Sequence, residues 1–169
     1  MLKRLIQELS SDTTRISVIK EKKGLHRESV REVEGSRTFF ELYLKISNAE
    51  ERSENARHDL ILAYCSFGEE LEKRLALYRK TDEDHEATRK VYNEVKEQLP
   101  NEVTKNAIRK KSDRARKLYG LFFRINDDKF QRMTFTQRIK TFSATPISNL
   151  SDNNIKYVAT QVRKNIRQN

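Results

Sequence analysis

From residue 39 to residue 99 the chain carries no proline and a single glycine, Gly68. Proline removes a backbone donor and clashes with the preceding turn, and glycine weakens a helix by about 1 kcal/mol, so a stretch nearly free of both reads as helix. Ordinary globular helices run about 8–20 residues. The stretch is therefore expected to form a helical spine over about residues 38–98, one long helix that is either continuous or broken.

A seven-residue frame on the spine gathers Phe39, Tyr43, Ile46, Leu60, Tyr64, Phe67, Leu71, Tyr78, Tyr92, Val95 and Leu99 on one seam. The same frame also places Glu50, Ser53, Arg57, Arg74, Thr81, His85 and Thr88 there, which is too polar for a long two-stranded coiled coil. Two interruptions stand out. Residues 48–55 (NAEERSEN) hold no large apolar side chain. Thr81, Asp82, Glu83 and Asp84 offer capping oxygens and negative charge, so a new helix is expected to start near Asp84 and stop at about Gln98, before Leu99-Pro100.

The fold class expected is all-α. Hydrophobic and charged residues are equally abundant at 36% each, a balance that suits helices with much solvated face, and four glycines with two prolines are too few for a many-turned β protein. Three segments follow from the pattern: residues 1–37, a short helix with loops; residues 38–99, the spine; and residues 100–169, a basic helical module. Leu2, Leu5, Ile6 and Leu9 give the first helix an apolar stripe, which is expected to pack on the spine. Residues 11–37 read as a weak helix with loops, or as a partly disordered stretch, punctuated at KEKKG and EGS.

Charge is unevenly placed. Residues 1–100 hold 19 Lys/Arg and 20 Asp/Glu, whereas residues 101–169 hold 16 and 5, so the C-terminal section carries about +11 and the rest about −1 of the formal net charge of +10. Such a section points to an acidic protein, a sister molecule, nucleic acid or an anionic membrane. Thr104 is the expected N-cap of a helix reaching residues 122–124. A helical wheel puts Ala107, Ile108, Ala115, Leu118, Tyr119 and Phe122 on one side. Lys105, Arg109, Lys110, Arg116, Lys117 and Arg124 fall on the other, with Arg114 at the margin and Lys111 on the apolar side. Joined to the spine through LPNEVT, this helix has the outline of a helix-turn-helix. Nucleic-acid contact would use Lys105, Arg109, Lys110, Arg114, Arg116 and Lys117; the plainer expectation is a solvated basic face that keeps the helix soluble or pairs with acidic residues at 69–72 and 82–86.

Beyond Phe123, residues 126–128 (Asn-Asp-Asp) can start a brief helix, with Phe130, Met133, Phe135, Ile139 and Phe142 as apolar anchors. Thr145-Pro146 has the pattern of an N-cap followed by N1 proline. Ser151 is expected to cap a last helix with Ile155, Val158, Ala159, Val162 and Ile166 inward.

Four blocks carry a family likeness: LAYCSFGEEL from Leu62, YNEV from Tyr92 followed by Leu99-Pro100, IRKKSDRARKLYGLF from Ile108, and FSATPISNLS from Phe142. In this order, over roughly residues 60–165, they resemble an expanded family of uncharacterised proteins in arbuscular mycorrhizal fungi. The resemblance implies a helical module that recurs in many proteins, and no known reaction. The chain departs from that pattern at residues 125–130, INDDKF, where the family carries an Ile-Gly link before a Lys-Ile pair, and residues 131–140 read as added length.

No catalytic constellation is recognisable. His26, His58 and His85 are far apart without zinc spacing, and the adjacent Asp84, His85 and Glu86 are not expected to converge. Phosphate-loop, nucleophile-elbow and kinase signatures are absent. Cys65, the single cysteine, excludes an intrachain disulfide and reads as a buried inert thiol in a reducing, intracellular compartment, cytoplasmic or nuclear. No run of about 18 apolar residues suits a bilayer, and the N-terminus lacks a signal-peptide core. The expectation is a non-enzymatic interaction module without metal or cofactor, meeting a protein partner or another copy; the alternative is a DNA- or RNA-binding protein.

Overall fold

The described residues form eight helices and no strand: α1 (Leu2–Ser10), α2 (Phe39–Glu51), α3 (Arg57–Tyr78), α4 (Asp84–Gln98), α5 (Lys105–Ile125), α6 (Lys129–Gln137), α7 (Ala144–Ser148) and α8 (Asp152–Gln168). The structure, a computed structural model, describes residues 1–11, 38–51 and 57–168. Nearly all of the region expected as weak helix with loops (residues 11–37) and the second half of the first expected interruption (residues 48–55) lie outside the described residues.

The spine is broken and folded on itself. Phe39, at the start of α2, lies edge-on to Phe67, halfway along α3, with ring centroids 5.9 Å apart. A straight helix rising 1.5 Å per residue would hold these rings about 42 Å apart. The α2 start carries a reciprocal capping box that the sequence reading overlooked. Thr38 Oγ1 accepts from the Glu41 N–H and Glu41 Oε2 accepts from the Thr38 N–H, both at 3.3 Å. Gln98, ending α4, accepts from the Phe39 N–H at 2.7 Å. The second interruption falls where expected, and α4 doubles back along α3, tied at Glu94 by Arg74 (3.2 Å), which Glu70 of the same helix also holds (3.0 Å), and by Tyr78 Oη donating to Glu94 (3.2 Å).

This folding explains the polar places on the seam. Each helix buries a broader face than a coiled-coil stripe, so Leu42, Ile61, Leu75, Ala87 and Val91, all off the seam, are buried. One hydrophobic core contains residues of all eight helices and is densest where α3 runs along α5. Gly68 makes that approach possible: a Cβ there would stand 2.4 Å from the Ala115 carbonyl oxygen and 2.7 Å from Tyr119 Cβ.

α5 also buries Ser112, 1% exposed, whose Oγ finds no hydrogen-bond partner. An unsatisfied buried hydroxyl costs about 1–3 kcal/mol and alanine is the better helix former. Ser112→Ala is therefore expected to raise unfolding stability by about 1 kcal/mol in urea titrations; a loss of that size would show that the hydroxyl is hydrogen-bonded in solution.

The first helix corrects its expected placement. Leu5 and Leu9 are fully buried, but α1 packs chiefly on α8, with Asn165 Nδ2 donating to Ser10 Oγ at 3.0 Å and Arg138 donating to the Leu9 carbonyl at 3.0 Å. Amphipathicity specifies that a helix must be covered, not by which element. Glu8 fastens this end by accepting from the N–H groups of Lys140 (2.9 Å) and Thr141 (3.2 Å) and from the Thr141 hydroxyl. Burial works to raise the Glu8 carboxyl, but these hydrogen bonds, with Arg4 nearby, outweigh it and hold the group below its ordinary value of 4.5.

A depressed folded-state value means stability that is present above the unfolded-state value and lost as pH falls through the folded one. Glu8→Gln is thus expected to cost about 1–2 kcal/mol at neutral pH, the scale of hydrogen bonds to a charged acceptor. The difference from wild type should shrink when urea titrations are repeated below about pH 4; a pH-independent difference would overturn the assignment.

At the C-terminus, Asp128 caps α6 by accepting from the Gln131 N–H at 2.9 Å, and Ser151 accepts from the Asn154 N–H at 3.3 Å. Two expectations shift. The N-cap of α7 is Ser143 rather than Thr145, so Pro146 sits within the first turn, where its missing N–H is still harmless. Ile166 is 37% exposed because α8 outruns the core near its end.

Candidate functional site

The cationic side drawn for α5 does not survive as a free face. α5 is flanked by α3, α4, α6, α7 and α8, so a wheel that assumes one wet side and one dry side misplaces half of its charges. Arg116 Nε meets Glu72 at 2.6 Å; the hydrogen bond and charge of Glu72 outweigh burial and raise the Arg116 pKa. Arg114 donates to Tyr64 Oη at 3.2 Å and lies over that ring, and Lys117 donates to the Leu150 carbonyl at 3.2 Å. Lys111, on the apolar side, rests its ammonium 5.3 Å from the centre of the Tyr43 ring. Lys105, Arg109 and Lys110 stay exposed, Arg109 within 3.9 Å of Asp113. Of the two acidic patches, residues 69–72 do meet the basic section, through Glu72 and Glu69, whereas Asp82 pairs with Lys90 at 2.7 Å and Glu86 with Arg89 at 2.6 Å inside the α3–α4 region.

The concavity that remains lies between α3, α5 and α6. It has a volume of about 220 Å³ and is lined by Leu62, Cys65, Ser66, Glu69, Tyr119, Phe122, Lys129, Arg132, Met133 and Thr136. Each helix contributes one face: α3 shows residues 62, 65, 66 and 69, α5 shows 119 and 122, and α6 shows 129, 132, 133 and 136, all at helical spacing. Met133, expected as a core anchor, is 46% exposed, as is Phe123, whose ring lies 5.5 Å from that of Tyr119. Phe135 and Ile139 take the buried places instead.

Arg132 organises the cleft. Only 9% exposed, it donates to the Asp127 carbonyl and reaches Glu69 Oε1 with Nη2 at 3.5 Å. Its guanidinium lies 5.4 Å from the centre of the Tyr119 ring and 5.6 Å from that of Phe123. The two rings are themselves only 5.5 Å apart, so the guanidinium rests against the pair from one side; a flat, weakly hydrated cation against two aromatic rings suits arginine and not lysine. The sequence reading overlooked Glu69, Lys129 and Arg132 as a group. Their one legible signal was an arginine among Phe130, Met133 and Phe135, on a segment whose register was unassigned.

Burial pushes the Cys65 thiol far above its ordinary value of 9.0, with Arg132 opposing and Glu69 adding to the rise. The thiolate is the reactive form, so Cys65 is a poor nucleophile at neutral pH. Burial likewise raises the Tyr119 phenol above 10.0, despite Arg132, which keeps it a neutral donor. Of the trio Asp84, His85 and Glu86, His85 reaches Glu86 at 3.4 Å, and it lies 3.5 Å from Glu83, which precedes the helix; the ring is 72% exposed. Among the described residues, no three His, Cys, Asp or Glu side chains gather as a metal site, and no helix is long and apolar enough to cross a membrane. A broader depression of about 430 Å³ between α1 and α8 is shallow and mainly polar, lined by Lys3, Gln7, Ser10 and Asn165 among others.

Small-molecule sites commonly enclose about 300–1,000 Å³. The α3/α5/α6 cleft is smaller and open, the size of a seat for one or two side chains of a larger partner. Compared with family models, curated proteins and solved structures, the chain matches none.

Proposed function

We propose that this protein is a non-enzymatic helical interaction module that receives a protein partner at the α3/α5/α6 cleft. The observation behind the reading is that Met133, 46% exposed, lines a cleft walled by Leu62, Tyr119 and Phe122, while Phe123, equally exposed, lies against the ring of the cleft's Tyr119. Scattered surface apolar residues are ordinary, but aromatic and methionine side chains grouped at a concavity are the composition of interface centres. The cleft's one cysteine is held protonated and its one carboxylate is neutralised by neighbours, which favours docking over chemistry.

A photo-crosslinking amino acid at position 133 tests the reading. A discrete adduct that forms there, is lost with Phe123→Glu, and does not form from a crosslinker at the exposed Leu77 supports it. A mass that stays monomeric by light scattering at every concentration, with no discrete adduct from position 133, removes it.

The nucleic-acid reading retains Lys105, Arg109 and Lys110, the three exposed members of its set. Three neutralised phosphates give a log–log salt slope of about −2.7 on duplex DNA, against about −5.4 for six. Between 50 and 200 mM salt that is a loss of about 40-fold rather than about 2,000-fold, and the measured slope separates the two.

A further inference from the structure

We infer that the segment received by the cleft joins an apolar side chain to a neighbouring carboxylate, with Lys129 as the group that reads the carboxylate. The inference rests on the docking reading above and adds the chemistry of the partner. Three charged residues line the cleft: Glu69, Lys129 and Arg132. The Glu69 carboxylate is held by Lys73 at 3.4 Å and by Arg132 at 3.5 Å, so it offers no unmatched negative charge.

Lys129 differs from the other two. It is exposed, lines the cleft, and has no ion-pair partner among the described residues. Neither adjacent acid lines the cleft: Asp128 Oδ1 caps α6, and Asp127 accepts from Arg132 through its backbone carbonyl. An unmatched ammonium thus stands beside Leu62, Phe122 and Met133. When an apolar group covers that wall, water leaves, the local dielectric falls, and a carboxylate brought next to Lys129 gains more than an open surface pair would. A basic segment would meet Lys129 and Arg132 on a chain of net charge +10 and be repelled.

Three sets of synthetic peptides test this on the full chain by fluorescence anisotropy. All share the same Leu and Phe positions; the neighbouring residues are Asp/Glu, Asn/Gln or Lys. The Asp/Glu set is expected to bind about tenfold tighter than the Asn/Gln set and the Lys set not at all. Lys129→Glu should erase the first preference and admit the Lys set, and Met133→Glu should abolish binding; both positions are exposed, so helicity by circular dichroism should be unchanged. Binding that Met133→Glu removes but Lys129→Glu leaves intact overturns the inference and keeps the docking cleft. Absence of any Met133-dependent binding sinks both.

Discussion

Replacing Gly68 by alanine is expected to destabilise the protein by about 2 kcal/mol, although the same change at Gly120 should stabilise it by up to about 1 kcal/mol. Both glycines lie inside long helices, so propensity alone favours alanine at both. Their surroundings decide the sign. At Gly68 the added methyl would meet the Ala115 carbonyl at 2.4 Å and Tyr119 Cβ at 2.7 Å, neither of which can swing aside without moving α5. At Gly120 the only close atom is Arg124 Nη1 at 2.9 Å, the far end of a flexible side chain. Leucine at 68 would force α3 and α5 apart and should drop the melting temperature further, each kcal/mol being worth about 2–4 °C in a chain of this size. Thermal unfolding of the two alanine variants side by side is the check; stabilisation by Gly68→Ala would mean that α3 and α5 do not touch there.

The second large effect is expected at Arg132. Truncation to alanine removes a buried cation from Glu69, from the Asp127 carbonyl and from the faces of Tyr119 and Phe123, and should cost about 3 kcal/mol. Lysine keeps the charge but neither the fork nor the stacking, and should recover less than half. The double variant Arg132→Met with Glu69→Leu is expected to regain most of the loss, because an ion pair replaced together leaves no stranded charge and Lys73, 60% exposed, stays solvated without Glu69. A double-mutant cycle in urea measures this; additive losses would show that the two side chains do not interact. The same residue shapes the docking cleft, so Arg132→Ala should also weaken any Met133-dependent peptide binding.

These two predictions mark where sequence reading succeeds and where it ends. The interruption at Asp84, the stop at Gln98, the Thr104 cap and the Ser151 cap were legible, because each depends on a few consecutive residues and on local hydrogen bonds. Gly68 was visible only as an isolated glycine, since what it admits belongs to another helix. The pairing of the basic face with residues 69–72 was legible and Arg116 makes it, but that Lys117 turns to the Leu150 carbonyl and the marginal Arg114 to Tyr64 was not, because a wheel shows direction around one axis and says nothing of neighbours. The cleft was hidden more completely, its lining being drawn from helices widely separated in sequence.

What the sequence by itself determined is the all-α class and most of the helix ends, through periodicity, capping residues and proline placement. It also determined that positive charge gathers after residue 100. Only the tertiary structure decided that the spine folds back, that α1 lies on α8, and which charges remain for a partner. The physical reason is the same in each case. A helix's own bonds close within four residues, whereas burial, ion pairing and concavity are made between elements, and an apolar stripe states only that it must be covered.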